Sequence, residues 1–163
     1  MNKFVTSFWN YVPSGVIDAE KCVDDWAELG MDLPMSCSCE KDEDYDYILK
    51  NLDAAAKKGM KLIICDKRTL WYEIGTIGEE EYRRRVKAAA DKFASHLAFF
   101  AFHVGDEPAK AHWADMLKAV RIVGEYARPF INFLPFFDED FEKTLGTNHA
   151  GYEKMIEDAV KET

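Results

Sequence analysis

Lys61-Leu62-Ile63-Ile64-Cys65-Asp66 is a short apolar run that ends in a polar residue. Such a run is the signature of a strand buried on both faces, as in a parallel sheet. On either side of it the chain alternates between two patterns. Upstream, residues 4–11 are rich in aromatic and β-branched types. Residues 18–29 then place Ala19, Cys22, Val23, Trp26 and Leu29 at helical spacing, and Gly30 closes the segment. Residues 31–39 read as a second strand, weakened by Pro34. Tyr45, Ile48, Leu49, Leu52, Ala55 and Ala56 form the next helical face, ended by Gly59. Downstream, Tyr82, Val86, Ala89, Ala90 and Phe93 share a third face, and residues 97–104 read as a strand. Trp113, Met116, Leu117, Val120, Val123 and Ala127 form a fourth face before Pro129. Residues 130–134 read as a fifth strand, and Tyr152, Met155, Ile156, Ala159 and Val160 as a fifth helical face.

The order is strand–helix repeated five times, with strand starts roughly 27 to 37 residues apart, the size of βα units. This alternation implies a parallel sheet with helices packed outside it. Two architectures fit, an open doubly wound sheet or an arc of a (β/α)8 barrel. A nucleotide-binding open sheet usually carries a Gly-rich turn after its first strand. Here that turn is Pro13-Ser14-Gly15, and no G-x-G-x-x-G or P-loop occurs. A whole barrel takes about 250 residues, and 163 residues are a similar fraction of it as five units are of eight. The expected fold is α/β: an incomplete (β/α)8 barrel of about five units in one domain over 1–163. Its parallel strands are expected in the order one to five.

Apolar residues make up 48% of the chain and charged residues 31%, enough for both a core and a solvated surface, which excludes disorder. The net charge of −9 makes nucleic acid and anionic membrane surfaces poor partners. The longest apolar stretch, 97–104 read through His103, is too short to span a bilayer. Met1-Asn2-Lys3-Phe4 is followed by Thr and Ser rather than an apolar stretch, so no secretion signal is expected. Cys22, Cys37, Cys39 and Cys65 do not form a disulfide framework in a chain with this much core, so a reduced, cytoplasmic setting is expected.

Barrel chemistry sits at the C-terminal strand ends and in the loops that follow. This chain places Trp9, Asn10 and Tyr11 after strand one, and Cys37, Cys39 and Glu40 at the end of strand two. Asp66, Lys67 and Arg68 follow strand three, with Trp71 and Tyr72 in a long loop. Strand four is followed by Asp106, Glu107 and Pro108, with His103 near its end. Strand five carries Asn132, with Phe136 and Phe137 beyond.

The sharpest segment is His103-Val104-Gly105-Asp106-Glu107-Pro108, where an apolar strand runs into two adjacent carboxylates. Desolvation at an apolar barrel mouth, and a like-charged neighbour, hold a carboxyl group protonated to higher pH, as a general acid requires. The same residues also suit a helix start, with Asp106 as cap and Glu107 and Pro108 in the first turn. On the residues alone both readings stand.

This segment, with the order of units around it, resembles the clan A glycoside hydrolases and their bacterial β-galactosidase-like relatives. In that clan the acid/base Glu ends strand four in an Asn-Glu-Pro setting. Gly105-Asp106-Glu107-Pro108 is similar, and Glu107 matches the acid/base position. Phe8-Trp9-Asn10-Tyr11 and Asn132-Phe133-Leu134-Pro135 also look like sugar-hydrolase barrels of this sort. The resemblance covers the first five units of the family's barrel. It implies hydrolysis of O-glycosidic bonds by a completed barrel, with Glu107 catalytic. Two departures stand out. Asp106 replaces an Asn that donates to the sugar 2-hydroxyl, and an ionised Asp only accepts. The family's nucleophile, a Glu at the end of strand seven, would lie beyond these five units. Retaining hydrolysis needs two carboxyls about 5–5.5 Å apart, and the side chains of Asp106 and Glu107 should diverge.

Trp9, Tyr11, Trp71 and Tyr72 can stack on sugar faces, although Trp9 and Tyr11 equally suit packing between sheet and helices. Asp66 and Arg68 can contact sugar hydroxyls or pair with each other. His103 can orient a carboxylate or bind a hydroxyl, although a lone strand histidine is more often a satisfied core residue. Asn132 completes the candidate substrate-binding set of Trp9, Asn10, Tyr11, Asp66, Arg68, Trp71, His103, Asp106 and Asn132. Cys37 and Cys39 alternate on one strand face but lack metal-ligand spacing, so no metal or cofactor is expected. Glu79-Glu80-Glu81 before Arg83-Arg84-Arg85 reads as a solvated helix face with i, i+4 pairs.

Three functions compete: a hydrolase barrel in part, a non-catalytic carbohydrate-binding or interaction protein, and an open α/β domain with an unrelated small ligand. A sheet cut after five strands leaves its inner face uncovered, with candidates among Phe4, Thr6, Phe8, Leu97, Phe99, Ala101, Phe130 and Asn132, or the alternate set one residue on. A homo-oligomer or a C-terminal piece is expected to cover it.

Overall fold

The computed structural model describes residues 4–10, 12–136 and 141–161. Tyr11 and Phe137 lie outside them. The apolar run at 61–66 becomes β1 (Leu62–Ile64), with all three residues buried. β2 (Phe99–Asp106) pairs with β1 in parallel, and β3 (Pro129–Asn132) pairs in parallel with β2. Two upstream segments extend the sheet past β1. Met35 and Cys39 bridge in parallel to Ile63 and Asp66, and Pro13 bridges in parallel to Ser38. The order in space therefore follows the order in the chain, and the fold is α/β, an arc of a (β/α) barrel. A doubly wound sheet would have reversed direction part-way.

The first two segments are less regular than their sequence suggests. Neither 4–10 nor 31–39 forms a continuous ladder. Pro13 and Pro34 have no N–H to give, and side chains take over several backbone partners. The Asn10 amide donates to the Met35 carbonyl (3.3 Å), and its oxygen accepts from the Val12 N–H (3.0 Å). The Ser36 hydroxyl accepts from the Cys65 N–H at 3.0 Å.

The helices follow the apolar spacing closely. α1 (Ala19–Glu28) is capped by Asp18, whose carboxylate accepts from the N–H groups of Glu20 and Lys21 at 3.0 Å. α2 (Tyr45–Lys57) buries Ile48, Leu52 and Ala55. A short α3 (Ile74–Ile77) leads into α4 (Glu79–Phe93), which buries Tyr82, Val86, Ala89 and Phe93. α5 (Trp113–Gly124), α6 (Phe141–Leu145) and α7 (His149–Lys161) complete the layer. Their apolar stripes meet Leu62, Ile64, Phe102 and Val104 on the helix side of the sheet. Each such side chain contributes roughly 1.5–3 kcal/mol on burial. The acidic–basic run on α4 forms surface pairs as expected, with Arg84 and Arg85 both on Glu81. No helix among the described residues is long and apolar enough to cross a membrane.

Register irregularities occur between the second segment and β1, between β1 and β2, and between β2 and β3, and two of them decide which residues reach the inner face. Met35 pairs with Ile63 and Cys39 with Asp66, so four steps on one segment match three on the other. The extra residue puts Met35 on the inner face while Cys37 and Cys39 pack into the helix-side core. Between β2 and β3 the register shifts between His103 and Gly105. His103 and Asp106 are three residues apart, an odd spacing that would normally oppose them. The shift brings both to the same cavity.

Of the inner-face candidates, Phe4 and Leu97 are 85% and 75% exposed at the N-terminal strand ends, whereas Ala101 is fully buried. Phe8 and Phe99 pack against the main core. Phe8, Phe130, Asn132, Trp9 and Met35 surround a hollow of about 190 Å³.

Candidate functional site

A cavity of about 360 Å³ opens at the C-terminal strand ends. The first segment contributes Trp9, Asn10 and Pro13, and the second Met35, Ser38 and Glu40. Cys65 comes from the end of β1, Leu70 and Tyr72 from the loop after it, and His103 and Asp106 from β2. Four successive strand segments and the loop after β1 thus converge, because the strands are parallel and their ends lie side by side.

His103 forms the deepest polar wall. It is 6% exposed, and burial holds its imidazole pKa below the ordinary value, so the ring is neutral near pH 7. Its Nδ1 lies 3.8 Å from the Cys65 thiol, and its Nε2 is buried with no hydrogen-bond partner among the described residues. The Trp9 ring meets it edge-on, with centroids 5.0 Å apart. Its backbone is fixed as well: the fully buried Thr69 hydroxyl lies 2.9 Å from the His103 carbonyl. The Tyr82 hydroxyl donates to the Thr69 carbonyl at 2.6 Å. Burial pushes the Cys65 thiol up to about 11, so it is protonated beside His103.

Asp106 ends β2. Its backbone N–H donates to the Tyr72 hydroxyl at 3.2 Å. Its carboxylate accepts from the Asn132 amide at 2.8 Å. Asn132 itself lines the neighbouring hollow with Trp9 and Met35, so the two spaces share a wall.

Glu107 stands elsewhere. It follows the strand in a left-handed conformation (φ 43°) and is exposed. Its N–H donates to the Asn132 carbonyl at 3.0 Å, and it does not line the cavity. The alternation that turns Asp106 inward turns its neighbour away, and Glu107 lacks the burial expected of a general acid. The helix-start reading of this segment does not hold. A 3-10 turn at Lys110–His112 and then α5 at Trp113 begin further on, and Asp106 belongs to the strand.

The other candidates divide. Trp9, Asn10, His103 and Asp106 share the cavity, and Tyr11 lies outside the described residues. Trp71 is not a ligand platform in this structure. It is 7% exposed and packed in the core beneath Gly105, while its neighbour Tyr72 is the aromatic that reaches the cavity. Asp66 and Arg68 face a second hollow of about 330 Å³ on the helix side, with Tyr45, Arg84 and Arg85. Asp66 is 1% exposed and clasped by Arg68, whose Nε donates to it at 2.8 Å and whose guanidinium lies over the Tyr45 ring. Burial pushes the Asp66 carboxyl up to about 7, against the pull of the Arg68 backbone N–H. This pair is structural in its placement. Among the described residues no group of three or more His, Cys, Asp or Glu is arranged to hold a metal ion.

Sequence reasoning missed Ser38, Cys65, Met35 and Leu70 as cavity walls. Cys65 was legible as the position after an apolar strand. Met35 and Ser38 depend on the irregularity in the second segment, and Leu70 on the loop after β1.

No family model matches this chain, and no curated protein matches it. Among solved structures, it is similar to one of two plant beta-glucan endohydrolases with distinct substrate specificities, at 9% identity and TM-score 0.49. That match covers 80% of this chain and 41% of the other. It is also similar to a truncated form of 3-deoxy-D-arabino-heptulosonate 7-phosphate synthase from Thermotoga maritima, at 16% identity and TM-score 0.49. Here the cover is 97% of this chain and 49% of the other. The chain spans less than half the length of either.

Proposed function

We propose that this chain binds carbohydrate in the cavity at the C-terminal end of its sheet. The observation that carries the reading is the pairing of Trp9 with His103 there. A half-buried indole offers a flat apolar face to the C–H groups of a sugar ring. Beside it is the buried His103 ring, whose Nε2 has no hydrogen-bond partner among the described residues. Asn10, Ser38, Glu40, Tyr72 and Asp106 supply further hydrogen-bonding side chains around the same space. Apolar walls with a few polar groups suit a small polar ligand.

The test is titration with neutral disaccharides, cellobiose and lactose among them, followed by tryptophan fluorescence and calorimetry. Saturable binding that Trp9→Ala abolishes is expected. The absence of saturable binding by every sugar overturns the reading.

Glycoside hydrolysis, the activity implied by the resemblance, is a second reading, favoured by one observation. Glu107 is the only described non-glycine residue with positive φ, and strain of that kind clusters at functional sites. In this reading Glu107 is the acid/base, and a nucleophile comes from further barrel units. If aryl glycosides are cleaved and Glu107→Gln leaves the rate unchanged, the assignment fails.

A further inference from the structure

Cys65 stands apart from the other three cysteines. Cys22, Cys37 and Cys39 are at most 4% exposed and pack into the helix-side core. Cys65, just past the end of β1, is half-buried and lines the cavity at the strand ends. Its sulfur lies 3.8 Å from His103 Nδ1, within hydrogen-bond reach for sulfur. A thiol and an imidazole at this spacing on the wall of one cavity are the two parts of an activated nucleophile, whose contact is often loose before a ligand enters.

At rest neither group is charged. Burial holds the His103 ring below its ordinary pKa. Burial also pushes the Cys65 thiol up, with Asp66, Glu40 and Cys37 adding to the push. Other neighbours favour the opposite protonation states. The Ser38 hydroxyl favours the Cys65 thiolate, and the Gly105 backbone and the Asp106 carboxylate favour the charged ring. The proton is thus held on sulfur until a bond forms there, and a base stands ready to take it at that moment. The walls set the class of partner. Trp9, Met35, Leu70 and Tyr72 give apolar surface, and Glu40 and Asp106 line the same space with no Lys or Arg among the described residues. A small neutral molecule fits these walls, and an anion is repelled.

We propose that Cys65 is a nucleophile with His103 as its general base, and that the cavity captures small neutral α,β-unsaturated carbonyl compounds by conjugate addition. With the ring proton on Nε2, Nδ1 accepts the proton as the S–H bond breaks and the sulfur bonds to the β-carbon. The carbon–carbon double bond opens toward the carbonyl as an enolate, and the imidazolium proton ends on the α-carbon. All atoms of both reactants stay in the adduct, and no electrons are exchanged with a third party. The inference is independent of the carbohydrate reading of this cavity.

The experiment is alkylation of the full chain by acrylamide from pH 8 to 9.5, a window that starts above the titration of Asp66 at about 7. Intact mass and peptide mapping follow the adducts. The first adduct is expected at Cys65, at least about tenfold faster than at any other cysteine. Exposure alone would give that order, so the pH profile decides. With His103 as base the ring is already neutral at pH 8, and the rate changes by less than about twofold across the window. A thiol that must ionise first gains about thirtyfold over the same range. His103→Gln is expected to slow Cys65 at least about tenfold at pH 8 and to restore the steep profile, with folding checked by circular dichroism. The wild-type profile needs no variant, so a misfolded variant leaves the test intact. A steep wild-type profile overturns the proposal, as does a first adduct at another cysteine or none at Cys65. Iodoacetate alkylating Cys65 as fast as iodoacetamide overturns the choice of a neutral partner.

Discussion

The indole of Trp71 occupies the space that a Cβ on Gly105 would fill. Gly105 has φ +151°, a region that residues with side chains rarely adopt, and it sits at the register shift between β2 and β3. One glycine therefore lets Trp71 close the core from outside and lets the strand turn both His103 and Asp106 inward. Gly105→Ala is expected to destabilise the fold by about 2–3 kcal/mol, through overpacking and a disfavoured backbone. Near-UV circular dichroism should lose tryptophan signal as Trp71 is displaced. An unchanged urea midpoint would refute this.

Ser36 performs the equivalent task on the second segment. It is fully buried, its hydroxyl donates to the Cys37 carbonyl at 2.9 Å, and it accepts from the Cys65 N–H at 3.0 Å. Ser36→Ala leaves a backbone N–H unsatisfied and is expected to cost about 1–3 kcal/mol. Hydrogen exchange at the Cys65 amide should accelerate more than at Ile63, whose N–H bonds to the Pro34 carbonyl.

Glu107 has the opposite expectation. With φ 43° and an exposed side chain, Glu107→Gly relieves left-handed strain while removing little packing. Stability should rise by up to about 1 kcal/mol. Chemical denaturation checks the sign, and a loss of stability would mean that the Glu107 side chain makes contacts that matter.

His103 gives a pH dependence. Its folded pKa lies below the ordinary value of about 6.5, so on acidification the unfolded chain takes up a proton before the folded one does. The His103 contribution to stability is therefore constant above about pH 6.5 and falls below it. The groups around the ring are Cys65, Asp106 and Trp9. Asp66, pushed up to about 7, imposes the reverse slope, because its folded form holds a proton that the unfolded chain has released. The comparison is thus between wild type and His103→Gln, with urea midpoints taken from pH 7.5 to 5.5. Wild type should lose more stability over that range than the variant, and parallel curves would refute the assignment.

The helices and the three regular strands were legible in the sequence, as was the order of the units, whereas the first two segments form only isolated bridges. The helices sit within a few residues of their apolar faces, because 3.6-residue spacing of Cys22, Val23 and Trp26, or of Tyr82, Val86 and Phe93, has one way to be buried. Parallel pairing in chain order followed from strands separated by helices. The strand ends were read correctly as the place where Trp9, Asn10, His103 and Asp106 converge. Tertiary structure alone decided which side chains faced the cavity. Alternation along a strand is a rule of period two, and one inserted residue inverts everything after it. Local spacing carries no mark of such an insertion, because it arises when neighbouring strands compete for hydrogen bonds and for room. The shift at Gly105 turned Asp106 inward and left Glu107 in solvent, and the one at Ser36 sent Met35 and Cys37 to opposite faces.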